Sequence, residues 1–260
     1  MRQERCILLS FDVEEFDIPL EYNQQIQMHE QMQAGYDGLL KVKEIISDYS
    51  ISTTLFTTAN FANHFPGIIK ELSLTHEIAS HTYYHSRFET VHLKESRLAL
   101  EKITGKKVMG LRMPRMKNVV MKDVMEAGYR YDSSINPTWL PGRYNQLNKP
   151  RTKFMEDTIL RIPATVSTFL RIPLFWLSFK NLPYSVYLKL VLYSLKKNGY
   201  VCLYFHPWEF IDLSNYKIPG YIKKPDGEIL LRKFKRLMNY LTKEAPFITM
   251  QSFLEKYPDK

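Results

Sequence analysis

The chain has 260 residues, of which 45% are hydrophobic and 24% charged, a composition that excludes wholesale disorder, collagen-like repeats and coiled coils. Lysine and arginine number 36 against 27 acids, a formal net charge of +9, which favours an anionic partner without naming one. Cys6 and Cys202 are the two cysteines and neither sits in a Cys-x-x-Cys pair, so a disulfide scaffold and a cysteine zinc site are excluded and both read as reduced core thiols.

At the start, Arg2 and Arg5 precede a short apolar run from Cys6 to Phe11 that contains Ser10 and is followed at once by acids. That is unlike a secretory leader, and a cytoplasmic location is expected. The same run is the first of eight predicted strands: Cys6 to Phe11, Ser52 to Thr57, His76 to Ser80, Val108 to Met113, Tyr129 to Ser133, Thr158 to Ile162, Tyr200 to Phe205 and Phe247 to Met250. Between them, apolar residues at three and four spacing predict helices over Gly38 to Tyr49, Ala59 to Leu72, Leu93 to Ile103, Lys117 to Ala127, Ser185 to Lys197 and Glu228 to Lys243. Arg232, Lys233, Lys235 and Arg236 form a solvated basic face on the last of these.

Strands alternating with helices imply right-handed parallel crossovers, and seven or eight of them suit one closed or nearly closed barrel spanning residues 1–260, with a doubly wound open sheet as the rival. The rhythm falters between Pro137 and Pro183, where six of the fourteen prolines crowd together with Trp139 and Trp176, so this is an elaborated loop region. The greasiest segment, Thr165 to Phe179, is cut by Arg171 and Pro173, and no stretch reaches the roughly 18 apolar residues of a spanning helix. Peripheral contact with a membrane stays open.

No Gly-x-Gly pair, Walker loop or Gly-x-Ser-x-Gly elbow occurs, which removes nucleotide cradles and serine hydrolase elbows. What remains is a set of polar residues at predicted strand ends: Asp12 and Glu14, His81 and His85, Arg112, Asp132 and His206. In a parallel barrel these ends share the face that carries active sites. His81 and His85, four apart, would share one side of a helical turn and suit two ligands of one metal ion. The acids after the first strand call for something positive nearby, and one carboxylate would complete a two-histidine, one-carboxylate site. The alternative for Glu15 and Asp17 is that they are acids at a helix N-terminus. His76 has the opposite strand parity to His81 and, with His29, His64 and His92, reads as structural or solvated.

Five segments, Ser10-Phe11-Asp12-Val13-Glu14-Glu15, His76 to His85, Leu111-Arg112-Met113-Pro114, Tyr131-Asp132-Ser133-Ser134 and Tyr204-Phe205-His206-Pro207, resemble in order the five motifs of the polysaccharide deacetylases, the NodB-homology or carbohydrate esterase 4 family. The resemblance implies a distorted parallel (β/α) barrel and a hydrolase that removes N-acetyl groups from an N-acetylated sugar or glycan. It implies Asp12 as general base, His81 and His85 as metal ligands, Arg112 as the partner orienting the base, His206 as general acid and Asp132 as the carboxylate tuning that acid. Many members carry a second aspartate where Val13 stands; Glu14 is the expected substitute, completing a site for a divalent ion, zinc first. The third motif lacks its second proline, which loosens any carry-over of substrate contacts to Met116 or Lys117.

Trp208 and Tyr84 are the expected substrate-binding aromatics, since flat rings pack against sugars. The charge is compatible with a phosphorylated or lipid-linked carrier, and nucleic acid is not expected as a partner. Two other readings stand beside the deacetylase: a metal-independent cyclic amidase similar to allantoinases, and a carbohydrate-binding barrel without turnover.

Overall fold

Period-two alternation sorts the first strand into two environments. In the computed structural model, which describes residues 5–256 and leaves Arg2 outside, β1 (Cys6–Val13) is buried along its whole length. Ile7, Leu9, Phe11 and Val13 belong to the larger core between sheet and helices. Cys6 and Leu8 belong to a second core with Phe56, Ala79, Tyr131, Leu160, Ile162 and Cys202, inside the curl of the sheet. Ser10, Asp12 and Glu14 continue the inward parity, so the strand that fills the barrel with apolar side chains at one end delivers polar ones at the other.

After β1 come α1 (Ile18–Glu21), α2 (Met28–Asp48), β2 (Thr54–Thr57), α3 (Ala59–His64), α4 (Pro66–Leu72), β3 (Glu77–Ser80), α5 (Val91–Thr104), β4 (Gly110–Leu111), α6 (Met121–Glu126) and β5 (Tyr131–Asp132). The hairpin β6 (Trp139–Leu140) and β7 (Tyr144–Asn145) follows, then β8 (Phe154–Glu156), β9 (Ile159–Arg161), α7 (Trp176–Asn181), α8 (Tyr184–Asn198), β10 (Tyr200–Phe205), α9 (Gly220–Lys223), α10 (Gly227–Leu241) and α11 (Met250–Glu255). The main sheet has eight strands in the order β10-β1-β2-β3-β4-β5-β9-β8. Its neighbours pair in parallel except β8, which is antiparallel to β9. This is the expected α/β distorted parallel barrel, left open between its edges. The irregular segment after β9 bridges the gap, with Thr165 N–H donating to Cys202 O at 2.9 Å.

Several expected elements differ. Phe247 to Met250 is no strand: Phe247 makes one parallel bridge to Ile7, and Met250 already opens α11, capped by Thr249. The helix expected over Ala59 to Leu72 breaks at Phe65 (φ −125°), because the residue before Pro66 is pushed out of helical geometry. Helix α2 starts ten residues before Gly38, in a mostly polar stretch without strong period. The strands expected around Val108 to Met113 and Tyr129 to Ser133 shrink to two residues each. Both cysteines are free and buried, as expected.

Two glycines let α2 close onto the upper rim. A Cβ on Gly35 would lie 2.5 Å from Glu14 O, and one on Gly38 only 2.1 Å from Pro207 O, so any side chain there would force the helix off both loops. The basic residues of α10 are partly spent: Lys233 reaches the Phe179 and Lys180 carbonyls, Lys235 pairs with Asp48 and Glu44, and Arg236 stacks over Tyr184. Among the described residues no helix is long and apolar enough to cross a membrane.

Candidate metal centre and catalytic pair

Glu14 leaves β1, and His81 and His85 follow β3, in a loop rather than on the helical turn their spacing suggested. Thr82, between them, has φ 63°, a left-handed conformation that a helix does not tolerate. The turn is held by Ser96 Oγ donating to Thr82 O (2.8 Å) and by Thr82 N–H donating to Ser80 Oγ (3.1 Å). The two imidazoles end nearly parallel, 5.7 Å between centroids.

The outer nitrogen of each ring faces an acceptor. His81 Nδ1 lies 2.8 Å from Arg112 O, which can only accept, and His85 Nδ1 lies 2.8 Å from Asp17 Oδ1. With its hydrogen committed to Arg112 O, His81 presents a bare Nε2 lone pair inward; His85 and Asp17 are an ion pair without an aligned hydrogen bond, and His85 Nε2 faces the same point. Both Nε2 atoms point at Glu14 Oε2, at 3.0 and 3.1 Å, an oxygen buried without a hydrogen-bond partner. Three electron-rich atoms all within 4.8 Å of one another repel unless a cation or proton lies between them, so the donor set fits a divalent ion with histidine and carboxylate preference. With protons alone in that place, burial opposes charge on Glu14, yet His85, His81 and His206 outweigh it and hold the carboxyl well below its usual range. Burial likewise opposes the His85 imidazolium, but Glu14 and Asp17 lift it to about 9. Glu14 Oε1 accepts from Trp208 Nε1 at 3.2 Å.

Asp12, one inward position before Glu14, is clamped by the fully buried Arg112, whose Nη1 donates to Asp12 Oδ1 at 2.6 Å. The guanidinium also donates to Ser10 Oγ, Ser133 Oγ and Ser133 O and is covered by the Phe56 ring. A guanidinium so fully occupied holds Asp12 rigidly. Asp12 Oδ2 is left facing His206 Nε2 across 3.8 Å, too long for a hydrogen bond. His206 stacks on Trp208 and meets Trp176 edge-on. Glu209 Oε1 accepts from the His206 backbone N–H at 2.7 Å and lies 3.1 Å from its Nδ1. Burial disfavours the imidazolium, but Glu209, Glu14 and Asp12 overcome it and raise the His206 pKa.

Asp12, Glu14, His81, His85 and His206 thus line one cavity of about 210 Å³, and Arg112 stands behind it. Asp132 does not join them. It follows Tyr131, which points into the barrel, so its own side chain points out, where Arg161 Nε donates to it at 2.9 Å. The carboxylate beside His206 is Glu209. Trp208 is fully buried and serves Glu14 rather than offering an open face. Tyr84 packs with Tyr83, His92 and Arg87 and does not line the cavity. Glu15 is no helix-terminus acid either; it accepts from Thr58 Oγ1 and Asn60 Nδ2. His76 and His92 are structural, each accepting a backbone N–H.

The elaborated region covers the site. Leu140, Tyr144, Phe175 and Trp176 wall the cavity together with Tyr204, Met116, Arg115 and Arg143. Sequence reasoning missed Glu209, Trp176 and Asp17. A glutamate three residues after His206 was a readable signal, since it has the spacing at which a glutamate reaches back to the N-cap backbone, and that bond forms, His206 N–H to Glu209 Oε1 at 2.7 Å.

The sequence profile of the family described as "Polysaccharide deacetylase" matches residues 2–131, half of the chain. Among solved structures, a probable polysaccharide deacetylase from Pseudomonas aeruginosa PAO1 is 15% identical, covering 98% of this chain and 92% of its own at TM-score 0.67. Puue allantoinase is 16% identical over 98% and 92%, TM-score 0.66. A CE4 family pseudoenzyme from Bacillus anthracis is 10% identical over 98% and 66%, TM-score 0.53. At these identities the likeness is one of fold. No curated protein matches the sequence.

Proposed function

The chain belongs to the polysaccharide deacetylase family, and on that premise we propose that it is a metal-dependent N-deacetylase of an N-acetylated sugar or glycan. The observation that carries this reading is the convergence of two imidazole nitrogens on the Glu14 oxygen that has no hydrogen-bond partner. Glu14, His81 and His85 would hold a divalent ion, zinc by donor preference, which lowers the pKa of water and polarises an amide carbonyl.

The chain's own residues supply the proton transfers. Asp12, held by Arg112 on one oxygen, takes the proton of the attacking water on the other. His206 lies across the cavity and gives a proton to the departing amine nitrogen, and Glu209 orients that imidazole and raises its pKa. Trp176, Tyr144 and Tyr204 present ring surface to a sugar. Arg112 acts on Asp12 and Glu209 on His206, so both are positioning residues.

The test is elemental analysis of purified protein together with acetate release from N-acetylated glycans. About one divalent ion per chain and acetate release are expected, both lost in the His81→Ala/His85→Ala double variant. Metal-loaded protein that releases no acetate from any such glycan sinks the reading. Chelator-resistant opening of a cyclic amide would replace it with the amidase reading, which the allantoinase-like fold accommodates.

A further inference from the structure

The +9 charge is not spread over the molecule. Residues 137–199 contain ten lysines and arginines against two acids, Glu156 and Asp157, and so hold +8 of it. From 158 to 208 there is no aspartate or glutamate at all. Part of this charge is used internally, as Arg161 pairs with Asp132 and Lys180 is buried near Glu209. Lys189, Lys196 and Lys197 on α8 are exposed, in a stretch that supplies no carboxylate to neutralise them.

Beside these lysines stands the most exposed apolar pair of the described chain. Phe169 and Leu170 are 82% and 79% exposed. They do not dangle. Val166 bridges Pro173, Ser167 N–H donates to Ile172 O, and Ile172 N–H donates to Ser167 Oγ. Arg171, at φ 49°, donates to the carbonyls of Pro137 and Lys149, and its own carbonyl accepts from Thr138 Oγ1. A turn pinned at both ends therefore holds two large apolar side chains out into solvent. The Phe169 ring lies 6.4 Å from that of Tyr193 on α8. Spacings of three and four put Val186, Lys189, Tyr193 and Lys196 on one face of that helix, and all four are exposed. The surface is thus an apolar tip, an aromatic shoulder and a basic flank.

We propose that this face docks the protein on an anionic phospholipid bilayer, Phe169 and Leu170 entering the interface while Lys189, Lys196 and Lys197 meet the headgroups. Apolar insertion combined with basic attraction is the pairing that interfacial binding requires. Nucleic acid fits less well, because Leu170 has no ring to stack on a base. The inference does not rest on the deacetylase reading, since none of these residues lines the catalytic cavity.

The experiment is co-sedimentation of the full chain with vesicles of phosphatidylcholine alone and of phosphatidylcholine mixed with phosphatidylglycerol, at low and raised salt. The wild type is expected to sediment with the anionic vesicles and to be released by salt. Phe169→Ser/Leu170→Ser should weaken partitioning at least about tenfold, and Lys196→Gln/Lys197→Gln by about fivefold per lysine. Thermal melts, unchanged for such exposed sites, guard against misfolding. The proposal is overturned if the wild type stays in the supernatant or if the tip variant sediments equally well. It is also overturned if the wild type is a dimer that the tip variant dissolves without any vesicle binding, or if it binds only nucleic acid.

Discussion

Two buried glutamates at opposite ends of the sheet separate structure from chemistry. Glu77 opens β3 at the end away from the site, and both its oxygens are engaged: Thr54 Oγ1 at 2.8 Å, Gln251 N–H at 2.9 Å and Tyr131 OH at 2.7 Å all donate to it. Glu14 at the other end has one oxygen on Trp208 and the other, without a hydrogen-bond partner, facing two imidazole nitrogens at 3.0 and 3.1 Å. The cavity beside Glu77, about 410 Å³, is the larger of the two, against about 210 Å³ at the site. Size is therefore a poor guide here; an unsatisfied buried acceptor among convergent lone pairs is the better one.

The largest effects are expected at the proposed acid and around the candidate metal ligands. His206→Ala should lower kcat by about 10² to 10⁴ while leaving the metal content measured by elemental analysis unchanged, since His206 is no ligand; loss of metal would show that the two halves of the site are not separable. Trp208→Phe removes the indole donor to Glu14 and should weaken metal binding roughly tenfold to a hundredfold, measured by competition with a chromophoric chelator.

Glu209→Gln is expected to act through pH. A general acid must be protonated, so the rate falls as pH rises through the His206 pKa, which Glu209 raises. Without that negative charge the imidazolium loses its proton earlier, and the alkaline limb of the kcat profile moves to lower pH. An unmoved limb would confine Glu209 to capping the turn.

At the far end, Tyr131→Phe should leave kcat untouched and cost about 1 to 3 kcal/mol of stability by urea denaturation, because a buried acceptor loses a donor. Burial lifts the Glu77 pKa in spite of its three donors. The folded chain thus keeps that proton longer than the unfolded one, and stability falls as pH rises from the unfolded to the folded pKa. The variant loses a donor that favours the charged form and should steepen that fall. A drop in kcat equal to that of His206→Ala would erase the contrast between the two ends.

Much of the site was legible because strand ends of a parallel sheet share one rim. Asp12, Glu14, His81, His85 and His206 line one cavity for that reason, with Arg112 behind Asp12. Asp132 could have been excluded by parity, as it neighbours Tyr131, whose ring fills the barrel. Glu209 was readable as a capping residue. Trp176 was not, because its place in the wall depends on how the proline-rich region folds back from β9, and no local period specifies that path. The helical turn expected at His81 to His85 failed for a related reason: spacing fixes only which positions could share a face, while Thr82 at positive φ sets the loop.

The alternation of strands and helices, a shared rim of strand ends and the identity of the donors could be read from the residues, because hydrophobic period and residue chemistry are local properties; the choice of a distorted barrel over a doubly wound open sheet came from the resemblance to the deacetylase motifs. Only the tertiary structure decided which carboxylate reaches His206, which tryptophan is buried behind Glu14 and which faces the cavity, and where the basic excess gathers around Phe169 and Leu170. Those outcomes depend on long-range packing, on glycines at 35 and 38 admitting a helix to the rim, and on loops whose course is set by the partners they meet.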